Sequence, residues 1–128
     1  MNILAIDRTA AQDATPTGNF SGQVWMQRLI GEQQSTEIEM LVVFFEAGGR
    51  TLPHVHPVDQ ILHIVDGHGI VATASERHQV EAGKVIVIPA GEWHWHGATP
   101  RQAMTHISIK QYGATDWTVD TCDWDDYT

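Results

Sequence analysis

The 128-residue sequence predicts an all-β fold, an antiparallel sandwich or barrel of short strands. Two observations lead there. Glycine and proline break the apolar segments at short intervals: Pro16 and Gly18, Gly48 and Gly49, Gly67 and Gly69, Gly83, Pro89 and Gly91, Gly97, Pro100 and Gly113. The runs between them are of strand length and rich in Val, Ile, Phe, Trp and Thr, and none sustains helical periodicity with capping signals.

In chain order, residues 9–15 suffice for one helical turn. Strands are expected at 22–30 and 35–46, the second with Leu41, Val43 and Phe45 on one face as a pocket wall or ordinary core. Residues 60–65 and 69–74 read as two strands parted by a turn at Asp66-Gly67-His68-Gly69. Residues 84–88 lie between Gly83 and Pro89, and 93–96 alternate Trp and His. Residues 102–111 place Met104, His106, Ser108 and Lys110 on one face, and 116–121 complete the set. The chain is one domain, 1–128, with its barrel at about 20–112, an N-terminal strand and an acidic C-terminal tail.

Composition removes several function classes. At 42% hydrophobic and 18% charged the chain can bury a core. Seven basic residues against 16 acidic give a net charge of −9, which repels nucleic acid and anionic membrane surfaces. Apolar runs such as 40–45 and 85–88 are too short to span a bilayer, and residues 1–15 lack the pattern of a secretory signal. A single cysteine, Cys122, excludes an internal disulfide and fits the cytoplasm. Eight histidines stand out in a chain of this size.

Those histidines concentrate in two places. His54 and His56 are two apart, so an extended backbone turns both imidazoles to one face, and Gln60 has the same parity. In Trp93-His94-Trp95-His96, alternation sends His94 and His96 one way and the indoles the other. Three imidazoles converging from two strands can hold a divalent transition metal with bonds of about 2.0–2.2 Å. Without a metal, the same rings would be hydrogen-bonding groups of a pocket.

The spacing Gly48-x5-His54-x-His56-x3-Gln60-x6-Gly67 resembles the first motif of the cupin superfamily, and Gly83-x5-Pro89-x-Gly91-x2-His94 resembles the second. The resemblance implies a single-domain double-stranded β-helix, or jelly-roll barrel, with an internal metal held by His54, His56, Gln60 and His94. It also implies a homodimer or higher homo-oligomer built through N-terminal strands. Two positions depart from the pattern: Gln60 stands where Glu is usual, and Ala98 where Asn is frequent. Ala98 affects a turn contact. With Gln60 the ligands are all neutral, so the metal keeps its full 2+ charge, a stronger Lewis acid held less tightly.

Residues 91–100 followed by Ala103-Met104-Thr105-His106 are similar to the small manganese-dependent cupin hydroxynitrile lyases of bacteria. This implies lyase chemistry on a small organic molecule, with manganese polarising the substrate oxygen and His96 or His106 taking the hydroxyl proton. Lys110 would add positive charge for the departing cyanide. Iron, nickel, zinc or copper could occupy the same ligands. Two other functions use the same residues: a manganese or iron dioxygenase cleaving a carbon–carbon bond, and a non-catalytic module that binds or senses a small ligand.

The remaining candidates read as structural. His63 has the opposite parity to Gln60 and packs, while His68 and His78 are exposed. Trp25, Trp93 and Trp95 fill hydrophobic space or a subunit contact, Arg50 and Arg101 are structural or exposed, and Cys122 sits among acids that disfavour a thiolate. The acidic residues after Gly113 form a solvated tail that Trp117 and Trp124 pack against the barrel or a neighbouring subunit.

Overall fold

The computed structural model describes residues 1–126. Ten strands follow in chain order: β1 (Gln12–Asp13), β2 (Phe20–Ser21), β3 (Val24–Ile30), β4 (Ile38–Phe45), β5 (Arg50–Thr51), β6 (Gln60–Thr73), β7 (Arg77–Glu81), β8 (Val85–Ile88), β9 (His94–Ala98) and β10 (Met104–Gln111). All pairings are antiparallel. One sheet runs β1-β3-β4-β10-β6-β8, and the other β7-β6-β9-β5-β2. The all-β expectation is met. Among the described residues, no helix is long and apolar enough to cross a membrane.

β6 belongs to both sheets. Its first half pairs with β10 and β8, its second with β7 and β9. The expected turn at residues 66–69 is therefore a bulge inside one 14-residue strand. Gly67 has φ 78°, and the register with β10 slips between Thr105 and His106 beside it. A Cβ on Gly67 would collide with the Ala103 carbonyl, so glycine lets the strand bend without ending.

Other expectations are corrected. The strand at 116–121 reduces to a single bridge, Val55 to Asp116. The Asp116 carboxylate accepts from Thr118 N at 2.8 Å and Thr118 Oγ1 at 2.6 Å, which turns the chain out of extension. In place of one helical turn at 9–15 there are two 3-10 turns, Arg8–Ala10 and Thr15–Thr17, with β1 between them. Asp7 and Asp13 start these turns by accepting from Thr9 N and Thr15 N. β7 was not foreseen: only Val80 of its five residues is buried, so it carries no apolar signal.

Between the sheets lie Val24, Val43, Phe45, Leu62, Ile64, Val71 and Met104, all buried. On the outer face of the second sheet, Ile70, Ala72 and Trp95 are covered by Trp124 of the C-terminal segment. The tail is clamped there. Arg50 lies 3.9 Å over the Trp124 ring and donates to its carbonyl, Trp124 Nε1 donates to Thr51 O, and Arg77 donates to Asp123 O. Arg50 is thus structural, as expected, and Trp124 packs on its own barrel.

Candidate metal centre

After β5, Pro53 leads into a short extended run in which His54 faces His94 as a two-bond bridge: each backbone N donates to the other's carbonyl, at 3.0 and 3.2 Å. The imidazoles of this pair are 4.3 Å apart at their centroids, and His56 joins them 4.8 Å from His54. All three are buried, and one ring nitrogen from each lies within 4.8 Å of the other two.

Hydrogen bonds fix which nitrogen is offered. His54 Nδ1 donates to Leu52 O at 2.7 Å and His94 Nδ1 to Glu92 O at 2.9 Å; a carbonyl can only accept, so both neutral rings carry the proton at Nδ1 and a lone pair at Nε2. His56 Nδ1 meets Thr115 Oγ1 at 3.0 Å, and its buried Nε2 has no partner. Gln60 Nε2 donates to Ser108 Oγ at 2.8 Å, which turns Oε1 to within 3.1 Å of His94 Nε2. Two acceptors facing at that distance repel unless a cation lies between them or the ring is protonated. Protonation is opposed: burial, its main cause, brings the pKa of His94 down to about 4. Burial, then the neighbouring His94, lowers His56 to about 4 as well, and His54 falls well below the usual imidazole range. Three neutral Nε2 donors and one amide oxygen fit a divalent transition ion.

His96 and His106 form a second pair deeper in the barrel. His96 shares the face of His94 on β9, their rings stacked 5.6 Å apart, and His106 comes from β10. His106 Nε2 and His96 Nδ1 share a hydrogen bond of 2.9 Å. His96 Nε2 and His106 Nδ1 are buried without partners. Burial drives His96 far below the normal range and His106 to about 4, so both are neutral at pH 7. Phe45 packs on both rings, at 6.2 and 5.1 Å.

A cavity of about 130 Å³ joins these groups. Its walls include Leu41, Val43 and Met26, and Trp117 lies 4.3 Å over His54 at 33° to its ring. Cavities of about 150 Å³ in other proteins admit a benzene-sized molecule. Lys110 lies on the wall as expected, but its ammonium is 2.7 Å from Glu39 Oε1.

The structure thus brings His54, His56, Gln60, His96, His106 and Lys110 to one cavity, with His94 against His54 and Gln60 behind its wall. His63 is half-buried on the opposite face, and His68 and His78 are exposed. Ser108 lines the cavity on the face that its parity with His106 and Lys110 predicts. Thr115, Trp117 and Glu39 are parts of the site that sequence reasoning missed: for Trp117 the signal was the indole in the tail, while Glu39 and Thr115 depend on register and loop path.

Comparison with known proteins agrees with this fold. The family model described as "Cupin domain" matches residues 41–110. Over 106 residues the chain is 34% identical to an (R)-mandelonitrile lyase of Granulicella tundricola, covering 80% of this chain and 81% of that protein. A cupin-like protein of Thermotoga maritima superposes with a TM-score of 0.82 at 29% identity, over 95% of this chain and 92% of that one. A polyketide cyclase of Streptomyces resistomycificus shares the fold, with a TM-score of 0.78 at 15% identity over 97% and 92% of the two chains.

Proposed function

The chain belongs to the cupin family, and from that premise we propose that it is a metal-dependent lyase of the hydroxynitrile type, cleaving a small cyanohydrin to an aldehyde and hydrogen cyanide. The observation that carries the proposal is the neutral, hydrogen-bonded His96–His106 pair, with His96 Nε2 unpartnered, lining the same cavity as His54, His56 and Gln60 of the donor set. Likeness to a mandelonitrile lyase supports it.

His54, His56, Gln60 and His94 would hold the ion, proposed to be manganese, which when bound supplies Lewis-acid polarisation of the substrate oxygen. His96 is the base. By donating its Nδ1–H to His106 Nε2 it keeps a lone pair at Nε2 for the substrate hydroxyl proton. As that proton moves, the carbon–carbon bond electrons leave with cyanide and the carbonyl forms. The His96 imidazolium, steadied through Nδ1 by His106, then returns the proton to cyanide. The apolar wall of Leu41, Val43 and Met26 receives the hydrocarbon part and excludes water.

The same proposal includes a homodimer or higher homo-oligomer, with Ile38, Ile61, Val85 and Val87, all exposed on the outer face of the first sheet, as subunit contacts in place of the N-terminal strands that the resemblance implies; a monomeric mass in light scattering would refute it.

The function is tested by following mandelonitrile cleavage through benzaldehyde absorbance, with manganese-loaded protein. We expect turnover in the unaltered protein and loss of roughly 10²–10⁴-fold in His96→Phe with its metal retained. Cleavage no faster than that of a His96→Phe/His106→Phe double variant would sink the lyase proposal. Substrate-dependent oxygen uptake would replace it with a dioxygenase, and tight ligand retention without turnover with a binding module.

A further inference from the structure

The cavity has a charged end that the proton transfer does not use. Lys110 on β10 lies in register with Glu39 on β4 and with Gln60 on β6. Residues in register on adjacent strands turn their side chains to the same face. The Lys110–Glu39 pair therefore stands in one cross-strand row with the Gln60 carboxamide, and all three line the cavity. His106 and Lys110 are four residues apart on the same face of β10, roughly 14 Å along the strand at about 3.4 Å per residue.

The pair is buried, with side-chain exposures of 6% for Lys110 and 11% for Glu39. Glu39 is committed twice, to Lys110 Nζ at 2.7 Å and to Arg28 Nη1 at 3.0 Å. Lys110 is not: one of its three N–H groups goes to Glu39 and another to Gln111 O at 3.3 Å, leaving a third. Glu39 is also the sole acidic residue among those lining the cavity, where its one charge offsets that of Lys110 while Arg28, its second partner, is 57% exposed to solvent; every metal donor is neutral. A divalent ion would add two positive charges that no group of the cavity offsets. The filled cavity thus carries surplus positive charge between apolar walls, in a chain of net charge −9. Buried charge without a counter-ion is costly, and a buried ion pair seldom improves stability over an apolar one. A bound anion supplies the missing charge.

We propose that Lys110 is a specificity-determining residue that binds a carboxylate, so that the natural substrate is a small organic acid. Its carboxylate meets the Lys110 ammonium, and its reacting oxygen lies toward the histidines. This rests on the lyase proposal for the bond that is cleaved, but the carboxylate site itself is tested by binding alone.

The experiment is calorimetric titration of manganese-loaded protein with 4-(hydroxymethyl)benzoate and with its uncharged counterpart, 4-(hydroxymethyl)benzamide. The benzoate is expected to bind more tightly by on the order of ten-fold to a hundred-fold, the range of a charge-assisted hydrogen bond. Lys110→Gln should abolish the preference at unchanged metal content, Lys110→Arg should retain it, and Glu39→Gln should enlarge it by releasing the ammonium. Equal binding of the two probes by the unaltered protein overturns the proposal. So does a preference that survives in Lys110→Gln, since the metal alone would then hold the carboxylate. Should Lys110→Gln fail to fold, a preference in Glu39→Gln no larger than in the unaltered protein overturns it equally. Carboxylate preference without cleavage of any cyanohydrin would discard the lyase proposal and keep this one; mandelonitrile cleavage without the preference would do the reverse.

Discussion

Acidification should destabilise the metal-free protein by an amount that the buried histidines set. Folding lowers His56, His94 and His106 to about 4 and His54 and His96 well below the normal range, burial being the main cause each time. In the unfolded chain an imidazole titrates near 6.5. The unfolded state therefore binds more protons, and stability, complete above about pH 6.5, falls as the pH drops until the folded values are reached. At pH 5, 1.5 units below the unfolded value, each neutral buried ring costs about 2 kcal/mol at 1.36 kcal/mol per unit. The three rings brought to about 4 amount to about 6 kcal/mol, with His54 and His96 acting in the same direction, which is comparable with the roughly 5–15 kcal/mol that holds an ordinary domain together. The assay is urea unfolding of chelator-treated protein, read by tryptophan fluorescence at pH 7.5, 6 and 5. With a urea slope of about 1–3 kcal/mol/M, the midpoint should fall by several molar. A shift of less than about 0.5 M from pH 7.5 to pH 5 would refute the assignment of five neutral, buried imidazoles. Added manganese should raise the midpoint at pH 7.5 and lose its effect toward pH 5, where protons compete for the same nitrogens.

Three further outcomes follow from single contacts. Thr115→Val removes the hydroxyl that orients His56 Nδ1 and should weaken metal affinity roughly 10–100-fold, measured by mass spectrometry after dialysis against graded chelator. Gln60→Glu should hold the ion more tightly, since opposite charges at 4 Å attract by about 4 kcal/mol at an effective dielectric of 20; mandelonitrile cleavage should slow as the ion's net charge drops. Phe45→Ala, at a ring 2% exposed, should cost about 3–5 kcal/mol in urea unfolding and lower cleavage by loosening the His96–His106 contact it packs against.

The part of the site that local parity governs was legible in the sequence. His54 with His56, and His94 with His96, do share faces, because alternation is a property of any extended backbone. The parity of His106 and Lys110 was equally readable. Their partners were not, since Glu39 reaches Lys110 only through the register of β10 on β4, which no local pattern encodes. For the same reason β7, polar at an edge, passed unnoticed. Gly67 shows glycine's ambiguity: in sequence it reads as the end of a strand, whereas its positive φ serves to bend one. In the C-terminal segment the packing of Trp117 and Trp124 was legible, but its backbone carbonyls, which charge patterning does not weigh, also fasten it to the barrel through Arg50 and Arg77, and its path brings Thr115 and Trp117 to the site.

That fastening bears on when the protein can acquire its metal. His56 is oriented by Thr115, 59 positions further along the chain, and Gln60 by Ser108, 48 positions further. During synthesis the histidines and Gln60 emerge long before the residues that aim them, and β6 lacks its partner β10 until residue 111 has been made. Sheets closed by such distant pairings form late and slowly. A nascent chain therefore offers loose imidazoles, and a preorganised four-ligand site exists only once the segment through Thr115 has been released. The ion is chosen by a finished barrel, in the compartment where folding ends, so metal content depends on which ions are available there as much as on the affinity of four side chains.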